Sequence, residues 1–355
     1  MHTNAPVSDR SGGALASYLS GHGFHYPLLI SDPNTHDVAG GALNVALDEA
    51  EFETDDFVLD NSEPAADAES VGDILIGMAP GRDVVIGVGG GTVTDVARLV
   101  SHRMGLPFLS YPTAPSVDAY SSPTSAMTFR GVKKTVPATP AAAVFVDPEV
   151  LSEAPHAMIA AGFADMAAKL TSSPDWKLSG LLGVEEIDER LMSRARAAAE
   201  SCVAEVDHIA AHERGAMSTL MDGLIESGDC MREWSGSRPA SGTEHLLSHF
   251  WEMRAYQSGA HSALHGERVA LGTIVAAGLF QRLARMGTAG LERRIRAAQP
   301  PGLAELRRKA VEAFGADAAD TLLEGHVLAS MTEERYRRIA GAAVEKAGEL
   351  IELAG

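Results

Sequence analysis

Residues 82–91, RDVVIGVGGG, form an unbroken apolar run that ends in three glycines and passes at once into a helical pattern, TVTDVARLVSHRM. An apolar run without polar alternation suits a strand buried on both faces, and such strands belong to parallel sheets covered by helices. Neighbouring stretches agree. HYPLLISD at 25–32, DFVLD at 56–60, PFLSYPT at 107–113 and AAAVFVD at 141–147 read as further strands with helical patterns between them. This alternation predicts an α/β domain with a largely parallel sheet.

Past about Pro155 the strand-like runs stop. Residues 157–172, 185–205, 207–224, 243–256, 266–285 and 303–315 carry helical periodicity, and the Gly, Pro and Ser of 173–183, 226–242 and 257–264 punctuate them. The expected organisation is a Rossmann-like nucleotide-binding domain over residues 1–152, followed by an all-helical metal- and substrate-binding domain over 153–355. A cleft between two such domains is a common place for a ligand. A length of 355 residues is comfortable for two cores.

The formal net charge of −19 argues against nucleic acid or an anionic membrane surface as partner. No apolar run is expected to span a bilayer, and the N-terminal stretch lacks the pattern of a secretory signal. With only Cys202 and Cys230, neither a disulfide framework nor a cysteine metal site is expected. A cytoplasmic protein acting on a small molecule fits these properties. Any anionic ligand then requires a locally positive site within an acidic chain.

Three segments carry chemistry. In GVGGGTVTD, Gly89, Gly90 and Gly91 let backbone N–H groups approach a pyrophosphate, and a helix opening at Thr92 and Val93 adds its dipole. A tight turn without a ligand is the alternative. Asp32, at the end of the first strand, can cap a turn or accept from a ribose hydroxyl. The loop after the next strand, TAPSVDAYSSP, offers the hydroxyls of Thr113, Ser116 and Ser122 for a nucleotide and Asp118 for a substrate hydroxyl, although the same residues make ordinary turns.

The strongest signal lies in the helical half. Asp165 sits among Ala, Phe, Met and Leu, where a lone carboxylate is costly without a cation; Lys169, one turn on, is one candidate partner and a metal another. Ser241 and Glu244 have capping-box spacing before His245 and His249, which lie four apart on one helix face. His265 opens a further helix in LHGE. Two histidines and an aspartate make a three-ligand set for a divalent ion with a position open to substrate.

These residues resemble the superfamily that unites dehydroquinate synthase, glycerol dehydrogenase and the iron-containing alcohol dehydrogenases. Within it they are most similar to the sn-glycerol-1-phosphate dehydrogenases. GVGGGTVTDVAR, PFLSYPTAPSVDAYSSPTS, AAGFADMAAKLTSSPDWKLS, SRPASGTEHLLSH and ALHGERVALGTI carry the likeness over roughly residues 84–275. The resemblance implies a dehydroquinate synthase-like fold and metal ligation by Asp165, His245 and His265, with zinc or nickel as the ion. It further implies nucleotide contacts from Gly89–Gly91, Thr113, Ser116 and Ser122, and substrate-facing roles for Asp118, His249 and Asp165. The implied activity is reduction of dihydroxyacetone phosphate with NADH or NADPH in phospholipid biosynthesis, by a homo-oligomer. Pro115, Val117 and Tyr120 depart from the family's loop and are expected to alter the pocket wall. Reduction of another small carbonyl, a dehydroquinate synthase-like cyclisation and a non-catalytic binding role are the competing readings. Arg130, Lys133, Lys134 and Arg238 are the candidates for a substrate phosphate.

Overall fold

The computed structural model describes residues 7–8, 12–61, 64–129, 132–260, 263–300, 302–323 and 331–355. Eight strands occur among them: β1 (Val7–Ser8), β2 (Pro27–Ser31), β3 (Asp55–Val58), β4 (Val84–Gly89), β5 (Phe108–Pro112), β6 (Thr124–Phe129), β7 (Val132–Pro137) and β8 (Ala141–Val146). Six form one sheet in the order β1-β8-β5-β4-β2-β3, and every pair in it is parallel.

Every residue of β2, β4 and β5 is buried, as the unbroken apolar runs predict. Successive side chains go to opposite faces of the sheet. Leu28, Ile30 and Val85 pack with Val96 and Val100 of the Gly91–Met104 helix, whereas Leu29, Val84, Ile86 and Val88 pack with Leu15 and Leu19 of the Gly13–His22 helix. From β2 the chain moves outward to β3, then returns to β4 on the other side of β2. The crevice at such a reversal lies at the carboxyl ends of the strands, here Ser31–Asp32 and Gly89–Gly91.

β6 and β7 form a separate antiparallel hairpin, which the sequence patterns did not single out. Its burial alternates only weakly along β6, and its second strand carries Lys133 and Lys134, so no clean period marks it.

After β8 every described element is a helix. Two expected loops are helical. The first, 173–183, lies largely inside Lys169–Leu181, which contains Pro174 and follows His156–Ala167 after a break at Ala168. The second expected loop begins within Arg214–Trp234, which runs on because Leu220, Met221, Leu224, Ile225 and Met231 keep a buried stripe at helical spacing. Its glycines serve packing: a Cβ on Gly223 would meet Cys202 Sγ at 2.8 Å, and one on Gly228 would meet Ser121 Oγ at 2.2 Å.

The longest helix is His265–Ala297, interrupted at Gly287, where φ is 63°. By length and composition it is apolar enough to cross a membrane, contrary to expectation. Leu271, Ile274, Val275 and Leu279 are exposed along it. Its opening turn nevertheless lies in a polar side-chain cluster, and length and composition alone are weak grounds for a membrane span.

Candidate metal centre

Three helices bring Asp165, His245 and His265 together. One candidate ligand atom from each lies within 4.8 Å of the other two. Glycine lets the helices approach this closely. A Cβ on Gly266 would stand 1.9 Å from the Ala161 carbonyl oxygen, and one on Gly272 would stand 2.3 Å from that of Glu244. The His265–Ala297 helix therefore rests backbone to backbone on the helices carrying Asp165 and His245.

The start of the Thr243–Ser258 helix corrects one expectation. No capping box forms between Ser241 and Glu244: Gly242 is the N-cap residue and supplies no side chain. Asp175 caps instead, accepting from Thr243 N at 2.8 Å and Thr243 Oγ1 at 3.2 Å. Ser241 Oγ donates to the Ser237 carbonyl. Glu244 is fully buried, accepts from Gly242 N at 2.6 Å and lies 2.9 Å from His245 Nδ1. That contact turns Nε2 towards Asp165 Oδ1, 3.3 Å away. A carboxylate behind a ligating imidazole fixes its tautomer and ring orientation.

The electrostatics suit a cation. Burial pushes the Asp165 carboxyl up, but Lys169, His245 and His265 outweigh it and hold the group well below the usual carboxylate range. Burial disfavours the charged His245 ring, yet its contacts with Asp165 and Glu244 raise it to about 9. Burial carries His265 down to about 3 against the pull of Asp165, leaving a neutral imidazole. One carboxylate oxygen and two imidazole nitrogens form a donor set that fits zinc or nickel. Cys202 and Cys230 are buried in separate apolar clusters and are not among the three converging residues.

Lys169 is also present in this cluster, so ion pairing and the ligand constellation coexist. Its Nζ donates to Asp118 Oδ2 at 2.6 Å and Asp165 Oδ1 at 3.2 Å. Ser227 Oγ donates to the same Asp118 oxygen at 2.8 Å. Ser227 is 109 residues from Asp118, and no local pattern announces it. The half-exposed His249 ring stands 5.9 Å from His265, centroid to centroid.

The proposed nucleotide residues divide. Asp32 caps a short helix, accepting from Thr35 N at 2.9 Å. Gly89 and Gly91 are required for packing, since their Cβ atoms would meet Val93 at 2.7 Å and Val117 at 2.8 Å. Gly90 faces Ser116 and Met158 with more room. Val93 is itself a core side chain, while Thr92 is partly exposed on the first turn. Thr113 N donates to the Gly89 carbonyl and holds the loop beside the glycine turn. Ser116 Oγ pairs with Tyr120 Oη at 3.1 Å, and Ser122 Oγ with Thr124 Oγ1 at 3.0 Å. Tyr120 is wholly buried and also donates to the Ala114 carbonyl, so it props the loop from inside instead of lining a pocket. The buried Arg98 guanidinium donates to the carbonyls of Ala119, Tyr120 and Thr124, a tether the sequence did not signal.

Of the phosphate candidates, Arg130 lies outside the described residues. Lys134 is exposed on the hairpin, and Arg238 pairs with Glu185 at 2.7 Å. Lys133 reaches Glu252 at 3.3 Å, as does Arg268, a residue not singled out from sequence.

Comparison with known proteins bears on this arrangement. Residues 10–155 match the family described as iron-containing alcohol dehydrogenase. The chain is 36% identical over 274 residues to glycerol-1-phosphate dehydrogenase [NAD(P)+] of Halalkalibacterium halodurans, covering 76% of this chain and 69% of that protein. It is 32% identical over 329 residues to the protein of the same name in Bacillus subtilis, covering 91% and 79%. Glycerol dehydrogenase of Schizosaccharomyces pombe shares the fold, with a TM-score of 0.65 at 18% identity over 98% of this chain and 90% of that one. NADH-dependent butanol dehydrogenase A of Thermotoga maritima does so with a TM-score of 0.62 at 15% identity, covering 100% and 98%.

Proposed function

Because the chain belongs to the glycerol-1-phosphate dehydrogenase family of the iron-containing alcohol dehydrogenases, we propose that it reduces dihydroxyacetone phosphate to sn-glycerol 1-phosphate with NADH or NADPH. The observation that carries this reading is the convergence of Asp165, His245 and His265 from three helices. Zinc is the ion that the donor set favours, with nickel second. Bound there, it would supply Lewis-acid polarisation of the ketone.

The residues of the chain do the rest. Gly90, the first turn of Gly91–Met104 and the loop carrying Thr113, Ser116 and Ser122 border the switch-point crevice and would seat the nucleotide. Asp118 is held by Lys169 and Ser227 at the edge of the metal cluster, where its carboxylate can accept from a substrate hydroxyl. His249, beside His265 and partly open to solvent, is placed to pass a proton to the product oxygen. On this reading residues 1–152 carry the nucleotide and 153–355 carry the metal. The acidic charge supports a small-molecule enzyme with no nucleic-acid or membrane partner.

The test is oxidation of NADH and NADPH by the zinc- or nickel-loaded protein with dihydroxyacetone phosphate, alongside dihydroxyacetone and glyceraldehyde 3-phosphate. Metal-dependent turnover yielding the sn-1 product supports the assignment. A loaded protein that ignores dihydroxyacetone phosphate but reduces another carbonyl overturns the substrate.

A further inference from the structure

Two cationic side chains beside the metal centre, Lys133 and Arg268, are not used by the chemistry above. Lys133 Nζ lies 3.3 Å from Glu252 Oε1, and Arg268 Nη2 lies 3.3 Å from Glu252 Oε2. His249 Nδ1 stands 3.6 Å from that second oxygen, beyond hydrogen-bond length. Two permanent cations and an imidazole thus converge on one carboxylate. Asp95, the other carboxylate close enough to feel Lys133, is paired with the buried Arg98 at 3.4 Å. Arg268 also feels Glu267 on its own helix, so Lys133 and Arg268 are two cations held beside the metal centre by carboxylates in a chain of charge −19.

Its position is as telling as its composition. Arg268 follows His265 by three residues and Glu252 follows His249 by three, so each lies one turn from a member of the catalytic cluster. Lys133 comes from β7 of the hairpin, so the group joins the α/β half to the helical half. The side chains border solvent without being loose: exposure is 17% for Lys133, 9% for Arg268, 21% for Glu252 and 29% for His249. Arg268 is also held by its bond to the Ala263 carbonyl.

We infer that Lys133 and Arg268 form the subsite for the anionic end of the substrate, a phosphate monoester, with Glu252 holding the two cations in place. This rests on the proposed reduction of a phosphorylated ketone. His249, whose ring lies 5.9 Å from that of His265, links the Asp165–His245–His265 cluster to Glu252 and so to these cations, which a phosphate on a ketone held at the cluster would need to reach. Arg268 supplies a planar fork and Lys133 a point charge, a complementary pair for phosphate oxygens.

Wild type, Lys133→Met, Lys133→Arg and Arg268→Lys are compared with dihydroxyacetone phosphate and with dihydroxyacetone, and with inorganic phosphate as inhibitor. Losing one charge-assisted contact should raise KM for dihydroxyacetone phosphate and the inhibition constant of phosphate by about tenfold or more in Lys133→Met. The preference for the phosphorylated ketone should fall to match, and Lys133→Arg should recover most of it. If turnover of both ketones falls in parallel and phosphate inhibition is unchanged, Lys133 merely braces the two halves and the subsite is wrong. If wild type reduces no phosphorylated ketone, that earlier reading fails. Phosphate binding by wild type, measured by calorimetry and lost in Lys133→Met, would still support the anion subsite, and no binding would overturn it.

Discussion

The main-chain N–H of Asp118 donates to Asp165 Oδ2 at 3.0 Å, so a loop of the sheet domain and a helix of the metal cluster share one carboxylate. Lys169, wholly buried, completes the arrangement by donating to both aspartates. Replacing it by Met leaves two buried carboxylates without their cation. A loss of about 3–5 kcal/mol is expected in urea unfolding of the metal-free protein. Added zinc should recover part of it by supplying charge at Asp165. An unchanged urea midpoint in Lys169→Met would mean that the pair is solvated and the buried arrangement is wrong.

Gly162 gives a second test of how the halves meet. A Cβ there would stand 1.7 Å from the Pro115 carbonyl oxygen, a backbone atom that cannot swing aside. Gly162→Ala should therefore lift the 113–123 loop off the Asp165 helix and cost about 3 kcal/mol, the upper end for overpacking. Gly72→Ala is the contrast. Nothing lies within 4 Å of a Cβ at that helical position, so a gain of about 0.5–1 kcal/mol is expected. Thermal unfolding of both variants reads the difference, and equal effects would contradict the packing described.

Metal content separates ligands from their supports. His265→Ala removes one of three donors and should leave no tightly held zinc after dialysis, with turnover lost alongside. Glu244→Gln keeps all three donors but weakens the hold on His245 Nδ1, and should lower metal affinity by about 10- to 100-fold. Competition with a chelating dye measures both. Full zinc retention in His265→Ala would remove that residue from the ligand set.

The two thiols should be silent in the native protein. Burial pushes Cys202 up to about 11 and Cys230 up to about 12. A thiol with a raised pKa stays protonated below that value, and the thiolate is the reactive form. At pH 8 a disulfide reagent should therefore modify neither until denaturant is added. Rapid modification of the folded protein would show that one of these side chains is open to solvent.

The parallel sheet and the residues that converge as Asp165, His245 and His265 were legible because each is written locally: an apolar run into glycines, a histidine at a helix start, a carboxylate in an apolar helix. What escaped depends on distant neighbours. Arg214–Trp234 runs on through residues 226–234, read as punctuation, because Gly228 answers to Ser121 and not to its own helix. Asp175 caps the histidine helix from 68 residues away, where a local capping box was expected. Tyr120 looked like a pocket wall, but its hydroxyl is engaged by Ser116 and Ala114 within the loop. Arg268 acquires its meaning only when Lys133 and Glu252 arrive beside it.

The backbone contacts at Gly266 and Gly272 bear on how such a centre tolerates change. Its ligand spacing is gauged by main chain touching main chain, a ruler with no rotamers and little give. Exposed apolar residues of the helical half, such as Leu271, Ile274 and Leu279, can change in size without touching those two contacts. The two glycines have no such latitude, because any side chain there wedges the ligand-bearing helices apart. The evolvable part of this candidate metal centre is therefore its surroundings, and its dimensions are inherited from two glycines outside the proposed ligand set.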